Sequence, residues 1–177
     1  MIILVIGPSG VGKSASGESA AQEIPSCQFF DVDAIVSKKS GMPASQLLGQ
    51  KGPDAFFSVC RHEIEKIAQS SGGRTAIMAV GAGALVSHLA RGFLSCFSTR
   101  TIALVAAADE VYKRGGQRNQ ARTLQQFKDT EYSPYRLDLY RNAKYQCDVT
   151  GLSLDKTKAR FIGLIKAILQ VGPGGKI

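Results

Sequence analysis

A chain of 177 residues with 44% hydrophobic and 20% charged residues has the length and composition of one globular domain around a single core. No apolar run reaches the roughly 18 residues that a membrane span needs, and Met1–Ile6 lacks the basic flank of a signal peptide, so we expect no membrane association and a cytoplasmic location. The four cysteines form no C-x-x-C pair and the two histidines form no zinc pattern, which indicates reduced thiols and no structural zinc.

The net charge of +8 is unevenly distributed along the chain. Residues 1–110 carry nine Lys/Arg and nine Asp/Glu, whereas residues 111–177 carry thirteen Lys/Arg and five Asp/Glu. A basic second half predicts anionic ligands, although a solvated basic helix face accounts for part of the excess. Aromatic residues are only 7% of the chain and are not interleaved with the basic ones, so we do not expect nucleic acid as a partner.

The first strong motif follows an apolar, β-branched run. Met1–Ile6 predicts a buried strand, Gly7–Ser14 reads G-x-x-x-x-G-K-S, and Ser14–Gln22 is a small, polar segment that continues as a helix. This strand, loop and helix predict a phosphate cradle in which Lys13 faces the β- and γ-phosphates and the Ser14 hydroxyl ligates Mg²⁺. The residues predicted to bind the nucleotide here are Gly7, Ser9, Gly10, Val11, Gly12, Lys13, Ser14 and Ala15.

A second predicted strand, Phe29–Asp33, ends in two carboxylates. The i, i+2 spacing of Asp31 and Asp33 places both on one side of the strand end, near the phosphate loop if the two strands are parallel neighbours. One carboxylate can hold Mg²⁺ through water while the other orients or deprotonates an attacking hydroxyl. The alternative for Asp33 is a helix N-cap, because an apolar helical start follows at Ala34.

The remaining pattern alternates strands and helices. After a helical excursion at 38–52 come a helix at 54–69, a strand at 75–80 that runs into Gly81-Ala82-Gly83, a strand at 101–107, a helix from 109 to 114, a helix at 131–145, a strand at 147–150 and a helix at 154–170. The three small residues either admit a ligand to the backbone or form a tight turn. The polar, glycine-hinged segment 115–126 is either a closing lid or a disordered loop. The alternation predicts a parallel sheet with helices on both faces in one monomeric domain.

In its ordered motifs the chain resembles the shikimate kinase family of phosphate-loop kinases. The matching stretches are GPSGVGKS, FFDVD, SGMPASQLL, GPDAFF, VGAGA, an arginine-bearing lid segment and RLDLY. The resemblance implies a three-layer α/β/α fold with a five-stranded parallel sheet, a substrate-binding part at about 33–62 and a mobile lid at about 115–126. It also implies a role in aromatic amino acid biosynthesis, in which the γ-phosphate of ATP passes to a hydroxyl of shikimate or a similar polyol acid.

The resemblance also implies a role for individual residues. Lys13 and Ser14 would hold phosphates and Mg²⁺, Asp31 would support the metal, and Asp33 would bind the acceptor's hydroxyls and act as base. Gly81, Ala82 and Gly83 would lie against the acceptor, Arg136 would pair with its carboxylate, Arg114 would stack on adenine, and Arg122 in the lid would reach the transferring phosphate.

Several positions depart from the family pattern. Phe57 and Cys60 stand where the family has a substrate-binding arginine and its acidic partner, and Arg61, one helical turn on, is the candidate replacement. Ala82 replaces a glycine, and the lid lacks a proline after Arg122, which leaves Arg118 as a second candidate for the lid arginine. The alternatives are therefore a related kinase with a different small hydroxylated acceptor, or a degenerate nucleotide-binding module.

Overall fold

The computed structural model describes residues 1–96, 100–116 and 121–171. Its strands form one five-stranded sheet in the order β2-β3-β1-β4-β5, and every neighbouring pair is parallel. The expected three-layer α/β fold is confirmed. The strands are β1 (Ile2–Ile6), β2 (Cys27–Asp31), β3 (Thr75–Ala79), β4 (Thr101–Val105) and β5 (Tyr145–Asp148).

Helices connect the strands, as parallel neighbours require. They are α1 (Lys13–Glu23), α2 (Val32–Ser40), α3 (Ala44–Lys51), α4 (Pro53–Ser70), α5 (Leu89–Cys96), α6 (Ala108–Arg114), α7 (Leu124–Glu131), α8 (Pro134–Arg141) and α9 (Leu154–Val171), with a short 3-10 turn at Ala84–Val86. Within the described part of the chain, no helix is both long and apolar enough to cross a membrane.

The central strand β1 is buried on both faces, which explains its continuous apolar sequence. Leu4 and Ile6 belong to the core that α2, α4 and α8 cover, whereas Ile3 and Val5 belong to the core that α1 and α9 cover. Successive side chains of a strand point to opposite faces, so one short run of large aliphatic residues serves both cores. The sheet thereby holds helices on each side and leaves the carboxyl ends of its strands at one edge.

Several predicted boundaries differ from the structure, and the first of the two described here concerns the site. β2 ends at Asp31 rather than Asp33, and Asp33 lies in the first turn of α2. Asp31 caps this helix, since its Oδ1 accepts a hydrogen bond from the Ala34 N–H at 3.1 Å. A cap at Asp33 was the alternative interpretation of the sequence, but α2 begins at Val32, two residues earlier than that alternative requires.

The second boundary lies near the end of the chain. The predicted helix 131–145 is split into the end of α7 and the separate helix α8, which begins at Pro134, where a missing N–H costs nothing. Helix α8 ends at Arg141, and β5 starts at Tyr145 instead of Cys147. The Gln146 side chain donates to the carbonyl of Tyr140 at 2.7 Å, so it satisfies a carbonyl at the end of α8.

Candidate active site

The loop after β1 follows a path that favours glycine. Gly7 has φ +147°, and a Cβ atom there would lie 2.1 Å from the backbone oxygen of Leu104. Gly12 has φ +108° and is the N-cap of α1, so α1 begins at Lys13 with no side chain at its N-cap to accept from its first N–H groups. An anion such as a phosphate can fill that role at the positive end of the helix dipole.

Lys13 folds back over this loop. Its Nζ donates to the carbonyl of Gly7 at 2.8 Å and to the carbonyl of Pro8 at 2.9 Å. Burial lowers the pKa of this amine to about 8, and the negative charges of Glu131, Asp33 and Asp31 oppose that shift. The side chain is therefore held at the loop and lacks a direct carboxylate partner within the described residues.

The expected metal-binding pair lies together. The Ser14 hydroxyl donates to Asp31 Oδ2 at 2.6 Å, and both residues line the cavity described below. Their oxygens suit Mg²⁺, which is commonly held by one or two protein oxygens together with substrate phosphates. No group of three or more His, Cys, Asp or Glu side chains arranged for a metal occurs among the described residues, so a site for the ion rests on this pair.

Asp33 faces the same cavity, although it projects from α2 instead of a strand end. Its Oδ1 is buried and has no hydrogen-bond partner in the described parts of the chain. Burial raises the pKa of its carboxyl, the charge of Asp31 raises it further, and Lys13 lowers it. A Cβ atom on Gly81 would lie 1.9 Å from Asp33 Oδ2, so the glycine after β3 leaves the space that this carboxylate fills.

Arg136 is buried, with 6% of its surface exposed, and is held by two contacts. Its Nη2 donates to the carbonyl of Ala82 at 2.8 Å, and its Nη1 lies 2.8 Å from Oε2 of Glu131. The same Glu131 oxygen accepts a hydrogen bond from the Ser9 N–H in the phosphate loop at 3.0 Å. One carboxylate thus joins the predicted acceptor-binding arginine to the phosphate loop.

Arg122 belongs to the same cluster. Its Nη1 lies 3.4 Å from Oε1 of Glu131, and its guanidinium lies over the ring of Phe127, 4.6 Å from the centroid. Its backbone carbonyl accepts from the Tyr112 hydroxyl at 2.8 Å, which anchors this end of the predicted lid. The competing candidate, Arg118, lies outside the described residues.

Glu131 is the site residue that sequence reasoning missed. It lies at the end of α7, five residues before Arg136, and the break at Tyr132 and Ser133 turns α8 so that the two side chains meet. The sequence offers one signal, the Ser-Pro pair that starts a new helix between an acid and an arginine. That signal marks the break and does not identify the partners of the acid.

Arg114 lies at the opposite end of the cavity. Its Nη2 donates to the carbonyls of Leu152, at 2.9 Å, and Val149, at 3.3 Å, and pairs with Glu110 at 3.1 Å. Leu154, a half-exposed side chain, lines the same cavity as Arg114. A planar base fits between a guanidinium and an aliphatic side chain.

A cavity of about 560 Å³ lies among several of these groups, whereas Arg122, Glu131 and Arg136 are not among the lining residues that the structure describes. Its size is within the range of small-molecule sites. It is lined by Ser9, Gly10, Gly12, Lys13, Ser14, Ala15, Asp31, Asp33, Ala79, Gly81, Ala82, Arg114, Gly115 and Leu154.

Arg61 does not reach this cavity. It lies on the exposed side of α4, where its Nε pairs with Glu65 at 2.7 Å and its guanidinium lies 5.6 Å from the ring centroid of Phe93. Phe57 is buried and packs edge-on against the same ring, at 5.6 Å between centroids. Cys60 is also buried, which raises the pKa of its thiol to about 12. The structure therefore places Arg61 apart from the other predicted acceptor-binding residues.

Of the other residues that were predicted to bind a ligand, some line the cavity and some do not. Ala82 lines the cavity and its carbonyl holds Arg136, whereas Gly83 faces Leu48 and Phe56 and is not among the lining residues that the structure describes. Gly7 and Val11 are likewise absent from the described lining: Gly7 supplies a carbonyl to Lys13, and Val11 is buried in the core.

Comparisons with known proteins point to one family. The family model described as Shikimate kinase matches residues 9–165 of this chain. The chain is 28% identical over 162 residues to the shikimate kinase of Actinobacillus pleuropneumoniae serotype 5b (strain L20), covering 90% of each protein. It is also 28% identical over 144 residues to the shikimate kinase of Histophilus somni (strain 2336), covering 81% of this chain and 79% of that protein.

Solved structures share the fold. The shikimate kinase of Bacteroides thetaiotaomicron superposes with a TM-score of 0.74 at 17% identity, covering 94% of this chain and 98% of that one. The shikimate kinase of Acinetobacter baumannii, solved in complex with shikimate, gives a TM-score of 0.72 at 20% identity, covering 94% and 93%.

Proposed function

This chain belongs to the shikimate kinase family, and we propose that it transfers the γ-phosphoryl group of ATP to a hydroxyl group of shikimate. It is an ATP-dependent kinase that phosphorylates a hydroxyl group. The observation that carries the proposal is the shared cavity, in which Lys13 of the phosphate loop and the unpartnered carboxylate of Asp33 both line the wall. Such a pairing places a phosphate-binding cation beside a base.

The nucleotide occupies the loop end of the cavity in this proposal. The N–H groups at the start of α1 and the Lys13 ammonium bind the phosphates, while Arg114 and Leu154 hold the base. Ser14 and Asp31 would hold Mg²⁺. A bound ion would offset the negative charge that develops on the phosphates. Catalysis then rests mainly on positioning and on charge stabilisation.

Asp33 acts as the base for the acceptor. It accepts the proton of the attacking hydroxyl as the new oxygen–phosphorus bond forms. The bond between the γ-phosphorus and the β–γ bridging oxygen breaks, and ADP leaves with that electron pair. The raised pKa of Asp33 brings its proton affinity closer to what this transfer needs at neutral pH.

The carboxylate of the acceptor is assigned to Arg136. A forked guanidinium fits a carboxylate, and Arg136 lies beside Ala82, which lines the cavity. Position 57 is phenylalanine where the family pattern has arginine, so it supplies no second cation. Arg61 pairs with Glu65 on the exposed face of α4. This single-arginine arrangement favours, as the second candidate function, a kinase of the same family that acts on a less acidic hydroxylated acceptor.

A direct assay separates these functions. Purified protein is incubated with Mg·ATP and shikimate, and the product is identified by mass spectrometry, with a panel of small polyols and hydroxy acids in parallel. We expect phosphorylated shikimate, and we expect Lys13→Ala and Asp33→Asn to lower its rate by at least about a hundredfold while both variants stay folded. Product from another acceptor alone would replace shikimate as substrate, and no product from any acceptor would favour the nucleotide-binding module.

We also propose that the protein is a monomeric single domain that acts in the cytoplasm. Its four cysteines are free thiols, three of them buried, which supports a reducing compartment. Sedimentation of the purified protein tests the monomeric state.

A further inference from the structure

Glu131 is a buried carboxylate that the phosphoryl-transfer step does not use. Only 5% of its surface is exposed. Its Oε2 accepts from the Ser9 N–H at 3.0 Å and lies 2.8 Å from Arg136 Nη1, and its Oε1 lies 3.4 Å from Arg122 Nη1. A carboxylate of the protein thus lies against one nitrogen of each arginine, and at Arg136 Nη1 the contact is an ion pair without a hydrogen bond.

These two arginines are the ones assigned to the acceptor's carboxylate and to the transferring phosphate. The remaining candidate cation for a carboxylate, Arg61, pairs with Glu65 away from the cavity, and Phe57 supplies no charge. An acidic acceptor therefore meets an Arg136 guanidinium whose Nη2 is bound to the Ala82 carbonyl and whose Nη1 faces Glu131.

We propose that Glu131 is a specificity-determining residue that competes with the acceptor's carboxylate for Arg136, and so weakens the binding of acidic acceptors. This inference rests on the proposed function. The Glu131 carboxylate is part of the chain, so it is always beside the guanidinium. The carboxylate of an incoming acceptor has to displace Glu131 or share the guanidinium's donors with it. Like charges brought together in an enclosed site repel strongly, so sharing is the costlier of the two.

The test removes the charge and keeps the shape. In Glu131→Gln, the amide oxygen can still accept from the Ser9 N–H. With Mg·ADP saturating the phosphate loop, calorimetry should show shikimate binding about tenfold tighter than in the wild type, and the KM for shikimate should fall in step. Unchanged or weaker binding, or a fall in kcat with KM unchanged, would mean that Glu131 merely positions Arg136 and would overturn the proposal.

Two further variants isolate the charge. Glu131→Asp keeps the carboxylate and should bind shikimate no more tightly than the wild type. Glu63→Gln is the matched control, because Glu63 is equally buried, with 6% of its surface exposed, and pairs with Lys39 and Lys66 away from the cavity. It should leave the shikimate affinity unchanged. Equal tightening in Glu131→Asp or in Glu63→Gln would contradict a competing charge at position 131.

A second probe keeps this test independent of the acceptor's identity. Cyclohexanecarboxylate carries a ring and one carboxylate, and with Mg·ADP bound it should gain affinity in Glu131→Gln even if the wild type shows no shikimate turnover. Lack of turnover alone would reject shikimate, whereas unchanged cyclohexanecarboxylate affinity would reject the role of Glu131. Glu131→Ser is the replacement if Glu131→Gln does not fold, and failure of both to fold would assign Glu131 a structural role and overturn the proposal.

Discussion

Lys13 is the residue that we propose binds the phosphates through its positive charge. Its buried surroundings disfavour that charge. Its Nζ is bound to two loop carbonyls, and burial lowers its pKa to about 8, although three carboxylates oppose the shift. Phosphate stabilises the charged form, so nucleotide binding is expected to shift the pKa of this lysine upwards. Binding of nucleotide and binding of a proton are therefore linked at this residue.

This linkage predicts a pH-dependent nucleotide affinity. Below about pH 8 Lys13 is already protonated and the Kd for Mg·ADP should be constant, whereas above that pH the lysine must take up a proton and the Kd should rise by up to about tenfold per pH unit. Calorimetry between pH 7 and pH 9.5 in buffers of different ionisation enthalpy measures both effects. In Lys13→Arg, whose guanidinium stays charged, the pH dependence should disappear. A flat wild-type profile would show that Lys13 is not the linked group.

Gly81 is needed for the position of Asp33, and this too can be tested at one residue. In Gly81→Ala the added Cβ would lie 1.9 Å from Asp33 Oδ2, so the carboxylate has to move and turnover should fall at least about tenfold, with the Kd for Mg·ADP unchanged. Gly92→Ala is the matched control on α5, where a Cβ meets nothing within 4 Å and a helical alanine should add up to about 1 kcal/mol of stability. Full turnover in Gly81→Ala would mean that Asp33 does not need its present position.

At the scale of elements, α4 shows why a motif position alone does not identify a contact. Phe57 is 2% exposed and packs against Phe93, so this helix presents position 57 to the core. Arg61, one turn later, lies on the exposed surface, where Glu65 on the same helix pairs with it. The helix thus buries position 57 and exposes position 61, and neither side chain lines the cavity.

Restoring an arginine at position 57 should therefore destabilise the fold. In Phe57→Arg a charge is buried without a partner, and the free energy of unfolding should drop by at least about 3 kcal/mol, with no gain in shikimate affinity. Phe57→Leu, the apolar control, should lose about 1 kcal/mol, and Arg61→Ala should change stability by less than about 0.5 kcal/mol and leave the KM for shikimate unchanged. Urea unfolding and steady-state kinetics measure these quantities. A stable Phe57→Arg protein with a lower KM would place position 57 in the acceptor site.

At the scale of the molecule, the site depends on the order of the strands. The sequence β2-β3-β1 brings Asp31, the Gly81 turn and the phosphate loop to one edge of the sheet, and α7 and α8 bring the arginine cluster to the loop. Nucleotide binding thus joins elements from both halves of the chain, and it should stabilise the whole fold.

The expected stabilisation follows from mass action. Mg·ADP at about 100 times its Kd should add about 2.7 kcal/mol to the free energy of unfolding, which for a chain of this size raises Tm by about 5–10 °C. Differential scanning calorimetry measures the shift, and Lys13→Ala should remove most of it while the Tm of the protein without ligand stays close to that of the wild type. A shift of full size in Lys13→Ala would locate the nucleotide elsewhere.

Much of this fold follows from local patterns along the sequence. The apolar runs of β1, β3 and β4 and the amphipathic stripes of α4 and α9 are visible in the sequence, and the alternation of strands and helices predicts a parallel sheet. The phosphate loop is equally local, because its glycines, Lys13 and Ser14 lie within eight consecutive residues. Several site residues that were predicted from the sequence meet at the cavity, including Asp31, Asp33 and Arg114. They belong to such motifs or lie near them.

Tertiary structure decided the partners of the charged side chains. Whether Arg61 reached the cavity depended on which face of α4 met the core, and the role of Glu131 depended on a helix break that brings Arg136 of α8 against Glu131 at the end of α7. The partners of a polar contact can be far apart in sequence, as Ser9 and Glu131 are in their hydrogen bond. The sequence shows which residues carry charge, whereas the packing of whole elements determines which charged groups meet. That packing therefore also determines which donor groups of Arg136 remain available to an acceptor.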